Sequence, residues 1–105
     1  MHEDKYTTHI VSDAKLKLVD HVIFLGQVSI SAGNRLYDRL HESVHSLDFN
    51  PKGYPRYLSR KKTKDTLHYR LCDKQRYRIV FKVTDDAVHI HDVQDCRQHQ
   101  SKSIV

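Results

Sequence analysis

Apolar and polar residues alternate most regularly between Leu67 and Val93. In Arg76–Val83 the residues Tyr77, Ile79, Phe81 and Val83 fall on one side of a strand, and Arg76, Arg78, Val80 and Lys82 on the other. Leu67–Cys72 repeats the pattern, with Leu67, Tyr69 and Leu71 against His68, Arg70 and Cys72. Ala87–Val93 sets Val88 and Ile90 against His89 and His91. Asp73-Lys74-Gln75 and Thr84-Asp85-Asp86 are polar breaks of hairpin length. Pairing the three strands in this order predicts a shared polar face carrying His68, Arg70, Arg78, His89 and His91. It predicts an apolar face of Tyr69, Ile79, Phe81 and Ile90. A lone sheet cannot bury such a face, so an upstream segment must cover it.

The first half supplies that cover. Tyr6–Val11 reads as a short strand ending at Ser12-Asp13, either of which can cap a helix. Asp13–Val28 then reads as a helix, with Leu18, Val22 and Leu25 on one stripe and Leu16, Val19 and Ile23 beside it. Ser29 and Ser31 offer a second cap, after which Ala32, Leu36, Leu40, Val44 and Leu47 recur at helical spacing. Gly26 and the Gly33-Asn34 pair weaken the two helices without removing their pattern. Helices joined this tightly form an antiparallel hairpin, whose Leu18, Val22, Leu36 and Leu40 are expected against the sheet. Asp48–Thr66 is irregular, with turn signals at Asn50-Pro51, Gly53 and Pro55, and with Tyr54 and Tyr57 placed to pin the loop. The expected fold is therefore one α+β domain over residues 1–105: a strand and a helical hairpin on one face of a small antiparallel sheet.

Charge sharpens this picture. The net charge is +5. Residues 52–82 hold eleven Lys/Arg against only Asp65 and Asp73, while the segments on either side are each slightly acidic. So local a basic band, including the run Arg60-Lys61-Lys62-Thr63-Lys64, implies a polyanionic partner. No apolar run approaches a membrane span, and Met1-His2-Glu3-Asp4-Lys5 does not read as a signal peptide. Two cysteines, Cys72 and Cys96, far apart and outside any C-x-x-C, suit a reducing cytoplasm.

His41-Glu42-Ser43-Val44-His45 matches H-E-x-x-H, with two histidines one helical turn apart. A catalytic zinc needs a third protein ligand, and neither the third His of the extended motif nor any Glu after Glu42 is present. The pair therefore reads as two histidines flanking the Leu40/Val44 stripe, and no metal is expected. His89 and His91 read as polar groups titrating near neutrality. No phosphate-binding glycine loop or serine elbow occurs, so no cofactor is expected either.

The order of elements, together with Tyr69-Arg70-Leu71, Arg76-Tyr77-Arg78-Ile79-Val80-Phe81, Val88–Val93, Cys96-Arg97-Gln98-His99 and the Leu47-Asp48-Phe49-Asn50-Pro51 helix exit, resembles the RelE/ParE toxin superfamily of bacterial type II toxin–antitoxin systems. The resemblance implies a small cytoplasmic toxin silenced by a cognate antitoxin protein. It implies either metal-independent cleavage of ribosome-bound messenger RNA or, in the ParE branch, inhibition of DNA gyrase without catalysis. In the nuclease branch it implies Arg70, Arg78 and His99 as catalytic residues. Lys61, Lys62, Lys64, Arg76, His89, His91 and Arg97 would line the RNA. Cys96-Arg97-Gln98-His99-Gln100 is similar to the C-R-Y-H-Y end of YoeB-type toxins, with Gln98 and Gln100 in place of both tyrosines. Loss of those rings leaves a catalytically degenerate binding module as a further alternative.

Overall fold

The computed structural model describes residues 5–59, 61–98 and 104–105. Strand β1 (Thr7–Ile10) leads into helices α1 (Ser12–Val28) and α2 (Ile30–Ser46), a 3-10 turn (Pro51–Gly53), and strands β2 (Arg56–Tyr57), β3 (Leu67–Cys72), β4 (Tyr77–Val83) and β5 (Ala87–Asp95). The class is α+β, as the hydrophobic periods predict. No helix among the described residues is long and apolar enough to cross a membrane.

The helical hairpin forms where the spacing placed it. Ser29 caps α2, its hydroxyl accepting from Ala32 N at 3.2 Å. Gly33 lies against α1: a Cβ added there would stand 2.9 Å from Gly26 Cα and 3.1 Å from Val22 O. The two glycines that looked like weak points are thus where the helix backbones meet. Ala14, Leu18, Leu36, Leu40 and Val44 bury against Ile79, Phe81, Val88, Ile90 and Val93 of the sheet. Leu16, Val19 and Ile23, the flanking row of α1, stay exposed.

The sheet differs from expectation in three ways. Its order is β1-β5-β4-β3-β2, and β1 pairs with β5 in parallel, so it is mixed rather than antiparallel. Hairpin turns announce the antiparallel pairs locally, but this pairing joins strands some eighty residues apart with no local signal.

The second difference is a parity error at the β3–β4 turn. Cys72 pairs with Tyr77, so the turn holds four residues, Asp73–Arg76, rather than three. One residue in a turn reverses which side chains share a face. Arg70 therefore stands opposite Ile79, and His68 opposite Phe81, on the helix-covered face. Tyr69 and Leu71 stand opposite Val80 and Arg78 on the far face. The shared arginine surface expected from the alternation is not formed.

The third is a bulge in β5. Val80 pairs with Asp92 and Phe81 with Ile90, leaving His91 as the extra residue. Beyond it the parity of β5 reverses, so Val93 enters the core while Asp92 and Gln94 turn to the far face. The bulge begins where β1 ends, and α1 takes over that edge of β5: Val11 N donates to Ile90 O, and His21 Nε2 donates to Val93 O at 2.8 Å. A buried carbonyl left without a strand partner thus finds one in a helix side chain.

Candidate nucleic-acid interface

On the far face Arg78 is held on three sides. Its guanidinium carbon lies 5.3 Å from the centre of the Tyr69 ring and 5.9 Å from that of Tyr57. The two rings meet edge to face, with centroids 6.4 Å apart. Each tyrosine comes from a different strand, Tyr69 from β3 beside β4 and Tyr57 from β2 beyond β3, and the register places both on the side away from the helices. Arg78 Nη1 donates to Gln94 Oε1 at 3.1 Å. Gln94 Nε2 in turn donates to Tyr57 Oη and to Asp92 Oδ2, each at 3.0 Å. Asp92 is fully buried, and its other oxygen accepts from Lys17 Nζ of α1 at 2.6 Å. This network fixes the rotamers of Arg78 and both rings while Arg78 Nε keeps no hydrogen-bond partner among the described residues.

Chemically, this is a preorganised cation beside two π-faces. A forked guanidinium suits phosphate oxygens, and tyrosine rings suit unstacked bases. Tyr57, Tyr69, Gln94 and Asp92 are the members that the strand alternation alone did not reveal. The alternation alone places Tyr69 on the apolar face, and Gln94 and Asp92 reach the far face only through the bulge.

The same face continues along β4 and β5. His89 stands opposite Lys82, and its ring stacks on His9 of β1 at 5.5 Å. Lys82 Nζ is paired with Asp65 at 2.9 Å. His91 has its pKa lowered from 6.5, first by burial and then by the charges of His89 and Lys82, with Asp65 opposing. Four residues separate Lys82, and hence His89, from Arg78, roughly 13 Å along a strand, so His89 and Arg78 do not meet on one phosphate. His91, the extra residue of the bulge, lies two residues closer along β5 to Gln94, the partner of Arg78, and has Asp65, His89 and Lys82 as its charged neighbours.

The remaining expected site residues scatter. Arg70 donates to Ser46 Oγ at the end of α2 and to Tyr54 Oη at 3.1 Å, with its guanidinium carbon 5.6 Å from the Tyr54 ring centre. Tyr54 packs edge-on against Phe81, so this arginine ties the loop after α2 to the covered face. His68 stacks on Phe81 at 5.9 Å, and burial, then Arg56 and Lys52, lower its pKa. Arg76 sits in the β3–β4 turn. Arg97 pairs with Asp95 at 3.0 Å and lies over Tyr77. Burial works to raise the Asp95 carboxyl, but the Arg97 hydrogen bonds and charge outweigh it and leave it below the ordinary value. Lys61, Lys62 and Lys64 are exposed on the basic loop; Lys61 Nζ donates to Ile104 O at 2.6 Å. His99 lies outside the described residues.

His41 and His45 of the H-E-x-x-H stretch are exposed, with their Nε2 atoms 3.0 Å apart. Among the described residues no group of three or more His, Cys, Asp or Glu is placed to hold a metal ion. Cys72 is buried, and burial raises its thiol to about 11, far from a reactive thiolate. In comparisons of the sequence, no protein-family model matches and no curated protein is significantly similar.

Proposed function

We propose that this protein is a toxin of the RelE/ParE type that meets RNA on the far face of its sheet, with Arg78 as the central phosphate contact and Tyr57 and Tyr69 as stacking platforms. One observation carries the reading. Arg78 is clamped between two tyrosines on the sheet face opposite the helical hairpin, and Lys61 of the basic loop reaches the same network through Ile104. The order of strand, helical hairpin, basic loop and antiparallel hairpins supports the family assignment. The expected partners are single-stranded RNA, in the form of ribosome-bound messenger, and a cognate antitoxin protein.

Cleavage on this face would proceed without metal, using the RNA's own 2′-hydroxyl. Arg78 would stabilise the crowded phosphate, and His91 or His99 would move a proton. Arg70 has no part in it. The separation of the two arginines onto opposite faces favours a second reading, a binding inhibitor that recognises its target here without cutting it.

The test pairs Arg78→Ala with Arg70→Ala. Binding of a labelled single-stranded RNA and growth arrest on induction are scored for each. Arg78→Ala is expected to weaken RNA binding by about 1.5–3 kcal/mol, the worth of a charge-assisted contact, and to relieve the arrest. Arg70→Ala is expected to leave RNA affinity unchanged and to lower stability by about 1 kcal/mol. RNA binding lost through Arg70→Ala and kept in Arg78→Ala would overturn the proposal. Messenger cuts mapped after induction separate the nuclease from the binding inhibitor.

A further inference from the structure

The last two residues of the sequence, Ile104 and Val105, lie on the same network as Arg78. Ile104 N donates to Asp92 Oδ2 at 2.8 Å, the oxygen that also accepts from Gln94. Lys61 Nζ donates to Ile104 O at 2.6 Å, and Tyr57 Oη donates to Val105 O at 3.1 Å. Both residues are half-buried. One main-chain donor and two main-chain acceptors are therefore satisfied by a carboxylate, an ammonium and a phenol that belong to, or border, the Arg78 cluster.

These contacts use groups that RNA would need. While its ammonium holds the Ile104 carbonyl, Lys61 is tied to the docked segment and has one donor fewer for a phosphate. A nucleotide approaching the Tyr57 ring meets the segment at its hydroxyl end, where Val105 O accepts from Tyr57 Oη. Resting on the RNA reading above, we infer that the Ile104–Val105 segment is an intramolecular competitor for the far face, and that RNA binds only as this segment leaves. Its contacts are made by the main chain, so almost any side chains at 104 and 105 would preserve them. The exception is an imino acid at 104, which has no N–H. Apparent RNA affinity is then the intrinsic affinity multiplied by the fraction of molecules with the segment undocked.

Ile104→Pro in the full chain removes the hydrogen that Asp92 accepts and leaves Lys61, Tyr57 and Arg78 in place. Fluorescence anisotropy with a labelled, unstructured oligoribonucleotide is expected to show binding tightened by about tenfold, the equivalent of one hydrogen bond to a charged group. Ile104→Ala, which keeps the N–H, is expected to stay within about twofold of the unaltered chain. In the unaltered chain the Ile104 amide is expected to exchange slowly with solvent and to lose that protection when RNA is added. Equal RNA binding by the unaltered chain and Ile104→Pro would overturn this inference and leave the RNA reading standing, as would an Ile104 amide that stays protected in the RNA complex. RNA bound by neither protein would overturn both.

Discussion

The two faces of this sheet carry the same chemistry with different fates. On the covered face Arg70 lies over Tyr54 and donates to a helix hydroxyl. On the far face Arg78 lies over Tyr57 and Tyr69 and donates to a side-chain amide. Each arginine is half-buried, and each is stacked on tyrosine. The Arg70 group joins a loop to the core through the Tyr54–Phe81 contact. Among the described residues, the Arg78 group reaches the helices only through the Asp92–Lys17 pair, and Lys61 of the basic loop reaches it through Ile104. An arginine among tyrosines is therefore neither a staple nor a site by composition; the face it occupies decides.

The strongest way to break the comparison is to delete Gln75. If the turn keeps its four residues, Tyr77 is drawn into it, Cys72 pairs with Arg78 and Arg70 with Val80, so that Arg70 and Arg78 share a face. This shift would also turn Cys72 away from the core and press Leu67, Tyr69 and Leu71 toward the helices. The expected cost exceeds about 4 kcal/mol, with loss of a cooperative unfolding transition by circular dichroism. A stable, cooperatively folding deletion would mean that the turn does not set the register.

The tyrosines sharpen it further. Tyr69→Ala is expected to weaken single-stranded RNA binding by about 1–3 kcal/mol with little change in the urea midpoint. Tyr54→Ala is expected to do the reverse, lowering stability by about 2 kcal/mol with RNA affinity kept. Equal effects of the two on RNA binding would remove the distinction between the faces.

A smaller effect is expected at the turn that separates them. Asp73, Lys74 and Gln75 all have positive φ, at 51°, 56° and 67°. A side chain in that region costs roughly 1–2 kcal/mol where glycine costs nothing. Lys74→Gly is therefore expected to raise stability by about 1 kcal/mol and to leave RNA binding alone, as read by denaturant melts and anisotropy.

The smallest effect separates the faces by pH. His68 on the covered face and His91 on the far face both have pKa values lowered by burial below the ordinary 6.5. The unfolded chain then binds the more protons. Their contribution to stability is complete above that value and is lost as pH falls through the lower folded values. Denaturant midpoints are expected to drop between about pH 7 and about pH 5. His68→Gln should flatten that profile without altering RNA binding. His91→Gln should flatten it and also remove the gain in RNA affinity that protonating the far face brings at low pH. An RNA profile altered by His68→Gln would contradict the face assignment.

Much of this architecture can be read from the chain alone. Spacings of three and four in Leu18–Leu25 and Ala32–Leu47 specify the helices, because a helix returns to its face after one turn whatever lies far away. The strands β3, β4 and β5 follow from their alternation, and the basic band of residues 52–82 from a count of charges. Arg78 is legible as a candidate for the same reason. Its companions are not, since Tyr57 and Tyr69 gain meaning only when β2, β3 and β4 lie side by side.

What only the tertiary structure decides is parity. A strand's period of two leaves two equivalent answers to which row faces the core, and a single residue selects between them. One such residue is Arg76, taken into the turn; another is His91, set aside by the bulge. The parallel pairing of β1 with β5 is likewise settled by strands that meet only once the chain has folded. Helix faces follow from neighbours in sequence, whereas sheet faces follow from hydrogen-bond register between distant segments, and that register places Arg70 and Arg78 on opposite sides.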